Sequence, residues 1–221
     1  MNRHLVVFAK APEAGSVKTR LCPPLSPHEA AALAEAFLRD VLALAQSLAD
    51  CALMLCYTPR GTRNRMRRLA PSRWRLRLQR GADLGERLGH VMADLLTDPR
   101  ARVVVLGSDS PQLPSATLSA AYASLARHDL VLGPAEDGGY YLIGLRRWTR
   151  GLFDGVRWST DRALADTLER ARTLGLSCEL LEQAYDVDDI ASLRRLLADL
   201  DCLPADRLPH TRAAVAALRL R

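Results

Sequence analysis

Short apolar runs alternate along the chain with longer stretches in which apolar residues recur every three or four positions, a rhythm that predicts strands and helices in turn. Leu5 to Ala9 reads as the first strand. A long helix is expected over Pro27 to Ala49, its start marked by Ser26 as N-cap and Pro27 at the first helical position. Cys51 to Tyr57 reads as a strand, Pro59 to Ala70 as an arginine-rich helix, and Trp74 to Leu78 as a short strand with Arg75 and Arg77 on its exposed face. A helix over Asp83 to Leu96 should stop before Asp98-Pro99, because proline steers its predecessor away from helical geometry. Strand Val103 to Leu106, helix Ser115 to Arg127 and strand Leu130 to Leu132 follow. After the turn-forming Asp137-Gly138-Gly139 comes a strand, Tyr140 to Leu145, expected to be antiparallel. The last third predicts a helix over Asp161 to Leu174, a strand over Ser177 to Leu181, and helices over Ile190 to Leu200 and Thr211 to Leu220. Such alternation builds an α/β fold in which helices cover a mostly parallel sheet.

The bulk properties narrow this picture only a little. The chain has 221 residues, 48% of them hydrophobic, enough to bury a large core; a single domain over 1–221 is expected, without linker or internal repeat. A formal charge of +6 favours an anionic partner without choosing between nucleotide, nucleic acid and membrane surface. Leu5 to Ala9 is too short for a signal-peptide core, and no later run reaches the roughly 18 apolar residues of a membrane span, so a soluble, cytoplasmic protein is expected. The cysteines Cys22, Cys51, Cys56, Cys178 and Cys202 are odd in number and lack CxxC spacing, which argues against disulfides or a zinc site; Cys51 and Cys56 read as small core residues.

The chemistry gathers at strand ends. Asp109 follows the apolar run Val103 to Leu106 within Gly107-Ser108-Asp109-Ser110-Pro111, at the carboxyl edge where open α/β sheets bind ligands. Asp186-Val187-Asp188-Asp189 supplies carboxylates after a later apolar run. Asp186 and Asp188 alternate along an extended segment and so face one side, with Val187 toward the core. Asp186 is the favoured metal ligand of the two, since Asp188, like Asp189, is also placed to cap the helix near Ile190. Two acidic clusters in a basic chain point to a divalent metal holding a phosphorylated substrate. The loop Ala9-Lys10-Ala11-Pro12-Glu13-Ala14-Gly15-Ser16-Val17-Lys18-Thr19-Arg20 adds a flexible glycine and three cations at the same edge. Its amides near Gly15 and the side chains of Lys18 and Arg20 are suited to wrap a di- or triphosphate, or else form a plain basic surface loop. It matches neither the P-loop nor the GxGxxG spacing. Asp137 serves equally as a general base toward an acceptor hydroxyl, with a sugar lying against the adjacent glycines, or as a turn residue. The arginines from Arg60 to Arg80 carry a rival, nucleic-acid-binding reading, weakened by the lack of stacking aromatics beyond Trp74.

Taken together, AKAPEAGSVKTRL, GADLGERL at Gly81 to Leu88, GSDSP, GPAEDGGYYLIGL at Gly133 to Leu145 and DVDD resemble the nucleotide-diphospho-sugar transferase superfamily. More narrowly they are similar to its small bacterial glycosyltransferase-A-like branch, sometimes labelled arsenosugar-biosynthesis-type. Val17-Lys18-Thr19-Arg20-Leu21 also looks like the phospholactate guanylyltransferases, which with the molybdenum-cofactor guanylyltransferases are relatives of that branch. The resemblance covers the first strand to about Leu200. It implies a three-layer αβα sandwich of glycosyltransferase-A type and Mg²⁺ or Mn²⁺ held by Asp109 with Asp186 and Asp188. It also implies nucleotide contacts from Ala9, Lys10, Gly15, Lys18, Arg20, Gly81, Asp83 and Ser108; with Asp137 added from its own reading as a base in inverting transfer, the expected catalytic set is Asp109, Lys18, Arg20 and Asp137. Glycosyl transfer from a nucleotide-diphospho-sugar to a small acceptor is the first expectation. Nucleotidyl transfer from an NTP to a phosphorylated small molecule, releasing pyrophosphate, is the alternative. A lone acid in Ser108-Asp109-Ser110 departs from a compact DxD, and Cys22-Pro23-Pro24-Leu25 replaces the lysine-ending loop of sugar nucleotidyltransferases.

Overall fold

A computed structural model describes residues 2–218 and shows a seven-stranded sheet in the order β3-β2-β1-β4-β6-β5-β7. The strands are β1 Asn2–Lys10, β2 Cys51–Thr58, β3 Arg75–Leu78, β4 Ala101–Leu106, β5 Leu130–Pro134, β6 Tyr140–Leu145 and β7 Cys178–Leu180. The helices are α1 Pro27–Gln46, α2 Arg63–Leu69, α3 Leu84–Leu95, α4 Ser115–Ser124, α5 Ala163–Thr173, α6 Ile190–Cys202 and α7 Pro209–Ala216. Only β6 runs against the rest, as its predicted antiparallel hairpin required. The part of the terminal helix expected at Leu220 lies outside the described residues.

Burial on both faces explains why the central strands read as unbroken apolar runs. In β1, Leu5, Val7 and Ala9 join a core with α1, α2 and α4, while Val6 and Phe8 point into a second core with α3 and α5. Val104 and Leu106 of β4 divide from Val103 and Val105 in the same way. A third apolar cluster lies on the far side of α1, where Leu33 and Phe37 meet Leu193, Leu196 and Leu200 of α6. The result is the αβα sandwich, with the last two helices folded back over the first. Helix α1 starts where its signals placed it: Ser26 and Glu29 form a capping box, and Pro27 opens the helix.

Two expectations shift. The helix predicted from Pro59 begins only at Arg63, because Pro59 to Gly61 turns and the Thr62 hydroxyl donates to the Pro59 carbonyl. Part of the arginine-rich stretch is spent on structure. Arg67 donates to the carbonyls of Ala70, Pro71 and Trp74, Arg65 meets Glu35, and Arg77 and Arg80 share Asp94. A phosphate-binding stripe needs free cations, and these contacts withdraw four of the arginines from that reading. No helix among the described residues is long and apolar enough to cross a membrane.

Candidate active site

Because six strands are parallel, their carboxyl ends open on one edge, and antiparallel β6 brings its leading turn to the same edge. There β1 releases the loop of Lys18, β4 releases Gly107 to Ser110, and the β5–β6 turn presents Asp137. The segment after β7 is stitched across this edge: Val187 N–H donates to the Asp109 carbonyl (2.9 Å), and the Gln112 side chain donates to the Tyr185 carbonyl (2.7 Å). Val187 is fully buried in the third cluster, which turns Asp186 and Asp188 together toward the site, as their alternation predicted.

At the centre, Lys18 Nζ pairs with both Asp109 and Asp188, the latter at 2.7 Å. The Lys18 side chain is only 5% exposed, and its ammonium stands 5.9 Å from the centre of the Phe37 ring. Burial by itself would lower the Lys18 pKa, but the Asp109 and Asp188 carboxylates overcome that and hold it above the ordinary lysine value. The ammonium is therefore charged. Residue 18 reaches this position through a left-handed backbone (φ 49°, ψ 37°), a conformation a non-glycine residue adopts at some cost.

Asp186 is differently engaged. It accepts a hydrogen bond from the Ser110 hydroxyl and is buried enough to push its pKa up to about 6. Ser110 opposes that shift, while the charges of Asp109, Asp188 and Asp137 add to it. The geometry sets Asp188 beside Asp109 on the shared Lys18 ammonium and Asp186 one step deeper. Asp189, not Asp188, caps α6, forming a capping box with Ser192. Arg20 reaches Asp189 at 3.5 Å on the exposed rim. The sequence expectation gives Lys18 and Arg20 to phosphate and the aspartates to metal; without a ligand these cations and acids meet one another.

A cavity of about 350 Å³ adjoins the cluster, lined by Arg20, Asp137, Tyr185, Asp186, Asp188 and Arg195 among others. Arg195 was not anticipated. It meets Glu136 with both contacts at 2.8 Å and lies 4.0 Å over the Tyr185 ring, a pairing of residues 59 apart that leaves no sequence signal. Ser110 and Gln112 were also missed, although both stand in or beside the GSDSP motif.

The remaining candidates divide. Asp137 accepts from the Gly139 N–H (2.9 Å), the turn role, and still lines the cavity, so both of its readings keep a basis. At Gly138 an added Cβ would come 2.2 Å from the Asp161 carbonyl oxygen. Chain packing explains that glycine. Ala9 has its side chain in the core and offers only backbone, Lys10 is exposed at the strand end, and Ser108 is half-buried beside Asp109. Gly15 (φ 75°) makes the open bend of the first loop. Gly81 and Asp83 stand on the same edge beyond β3. Asp83 caps α3 and lines a separate hollow of about 560 Å³ with Glu86, His90 and Trp148, sharing no residue with the acidic cavity.

Among the described residues no three His, Cys, Asp or Glu side chains gather into a group able to hold a metal. Asp109 and Asp188 nevertheless suit one: both are hard oxygen donors, and they already share a cation, the Lys18 ammonium. Mg²⁺ in particular is bound through one or two carboxylates and completes its shell with water and substrate phosphate.

Comparison with known proteins agrees with this architecture. The family described as "Uncharacterized protein conserved in bacteria (DUF2064)" matches residues 41–160. The chain is 34% identical over 181 residues to 3-phospho-D-glycerate guanylyltransferase of Phenylobacterium zucineum (strain HLK1), covering 77% of this chain and 79% of that protein. A crystal structure from Desulfovibrio desulfuricans G20, provisionally described as a nucleotide-diphospho-sugar transferase, superposes with a TM-score of 0.90 at 33% identity, over 98% of this chain and 95% of that one. The CTP complex of CMP:2-keto-3-deoxy-manno-octonic acid synthetase shares the fold at 15% identity, with a TM-score of 0.57 over 91% and 99% of the two chains.

Proposed function

The chain belongs to the DUF2064 family, and from that premise we propose that it is a nucleotidyltransferase, joining an NTP, with GTP the first candidate, to a small phosphorylated acid and releasing pyrophosphate. The carrying observation is the meeting of Asp109, Asp188 and Lys18 at the carboxyl edge of the sheet. The relative that acts on 3-phospho-D-glycerate supports the choice of nucleotidyl over glycosyl transfer.

In the proposed reaction an oxygen of the acceptor phosphate attacks the α-phosphorus of the NTP. The bond from that phosphorus to the bridging oxygen breaks, and pyrophosphate departs with the electron pair. Nothing needs to be deprotonated on the acceptor, since a phosphate is already anionic at neutral pH. Asp137 then has no base to be, and its part is to hold the β5–β6 turn beside the cavity. Asp109 and Asp188 would hold Mg²⁺ or Mn²⁺, which when bound offsets charge on the phosphates. The loop of Lys10, Gly15, Lys18 and Arg20 contributes cations and backbone amides to the triphosphate. A fixed cation beside the leaving group stabilises charge as it grows there. Gly81, Asp83 and Ser108 would contact the rest of the nucleotide, with the whole of 1–221 acting as one unit.

The test supplies each NTP with 3-phosphoglycerate and Mg²⁺ and measures pyrophosphate. Release is expected, with GTP preferred, and Asp109→Asn should lower turnover by about 100-fold or more while the circular dichroism spectrum is kept. Release of nucleoside diphosphate from nucleotide-sugars, with no pyrophosphate from any NTP, would replace this reading with glycosyl transfer. Nucleotide binding without turnover, unaffected by Asp109→Asn, would make the protein a binding module.

A further inference from the structure

The chain carries 31 basic residues, and only two of them are lysines, Lys10 and Lys18, both at or just beyond the end of β1. Its other ion pairs are made almost wholly by arginine: Asp94, Asp129, Asp166, Glu136 and Asp189 each meet a guanidinium. Between Asp109 and Asp188 the cation is lysine instead. The difference is one of shape. A guanidinium is a flat fork matched to the edge of one carboxylate, whereas an ammonium is a compact point of charge that two carboxylates can approach from different directions. A divalent cation makes the same demand on the same oxygens.

We infer that Lys18 is a resident counter-cation occupying the divalent-metal position of the nucleotide-free protein, so that metal binds there weakly until a nucleotide triphosphate draws the ammonium away. Packing keeps it in place, with the side chain buried, its ammonium facing the Phe37 ring and the backbone of residue 18 turned left-handed. An ammonium and a divalent ion cannot both sit against one carboxylate pair without strong repulsion. Among the described residues, no third acid joins Asp109 and Asp188 in a group able to hold a metal, which would tip the contest toward it. A triphosphate resolves the conflict by offering oxygens to both cations. Lys18 exchanges carboxylate for phosphate, and Asp109 and Asp188 become available as metal and nucleotide enter together. Lys18 is thus a positioning residue whose effect is the order of binding. The inference rests on the nucleotidyl-transfer reading only for the anion that receives the ammonium.

The experiment needs no turnover. Mn²⁺ binding to the nucleotide-free wild type and to Lys18→Met is measured by calorimetry and by the electron paramagnetic resonance of free Mn²⁺. Lys18→Met should bind at least roughly tenfold more tightly, because the competing cation is gone. Its melting temperature should also rise on adding Mn²⁺, by more than that of the wild type. Equal or weaker binding by Lys18→Met overturns the inference. Should that variant not fold, the wild type decides. Labelled with ¹³C-lysine it gives two side-chain signals, and Lys10→Arg identifies which is Lys18. That signal should hold still in millimolar Mg²⁺ and move when a non-hydrolysable NTP analogue joins it; movement to the same position with Mg²⁺ alone overturns the inference. Failure of every NTP to bind or react would sink the proposed reaction, yet the Mn²⁺ comparison between wild type and Lys18→Met would still decide whether the ammonium holds the metal position.

Discussion

Asp188 and Asp189 are adjacent carboxylates with separate duties, which a pair of substitutions can distinguish. Asp189 accepts from the Ser192 N–H (2.8 Å) and, with the Ser192 side chain, closes the first turn of α6. Asp188 turns the other way, to Lys18. Removing an N-cap costs about 1 kcal/mol, so Asp189→Ala should unfold at lower urea while keeping most of its turnover. Asp188→Asn keeps its size and leaves the cap alone; it should retain stability and lose turnover by about 100-fold. Equal losses of activity in the two variants, measured at saturating substrate, would contradict this division. The sequence could pair acidic residues with a site but not assign each its task, because neighbours one step apart in an extended segment differ only in the direction they face. Which of them meets Lys18 depends on a left-handed residue far upstream that composition does not announce.

Elements were easier to read than side-chain partners. Strands buried on both faces leave unbroken apolar runs, and β6 was delimited at both ends because the Asp-Gly turn before it is a strong local signal. Helix ends were less legible where the decision lay in a tertiary contact. The helix expected through Arg127 yields to a C-terminal turn at Leu125, beyond which the Arg102 side chain donates to the Leu125 carbonyl. The least visible device joins three strands at their far ends. Asp129, just before β5, is buried and accepts from the N–H and hydroxyl of Ser177 ahead of β7, and it also pairs with Arg146 and Arg147 after β6. Burial would raise its pKa, but the Ser177 and Arg146 contacts outweigh that and hold the carboxyl below the ordinary carboxylate range. The folded state therefore binds fewer protons than the unfolded state as the pH falls past about 4, and stability drops through that window. Above it, the contribution of Asp129 is fully present. Asp129→Ala should cost on the order of 2–3 kcal/mol at pH 7 and flatten the acid limb of the stability curve, as read from urea unfolding at a series of pH values. An acid limb as steep as that of the wild type would show that Asp129 is not the group responsible.

At the scale of the whole molecule, residues from both ends of the chain meet at one sheet edge. The loop after β1, the turn after β4 and the segment before α6 are joined there by Lys18 and by the Val187–Asp109 bond, while Leu21 and Val187 share the third apolar cluster beneath. A ligand touching all three should stabilise the fold as a whole. At a hundredfold excess over its dissociation constant it adds about 2.7 kcal/mol, so NTP with Mg²⁺ should raise the melting temperature by roughly 5–10 °C. Asp109→Asn should abolish most of that gain, and an undiminished gain would place the nucleotide elsewhere. The same parallel run of strands also sorts the connections by rim. Turns such as Leu48 to Asp50 lie at the start of β2, a strand of eight residues, and so stand roughly 25 Å from the acids. That rim is a natural attachment zone: a fluorophore, an affinity handle or a short spliced peptide fixed there would leave the chemistry at the opposite end unobstructed, which suits the protein to immobilisation.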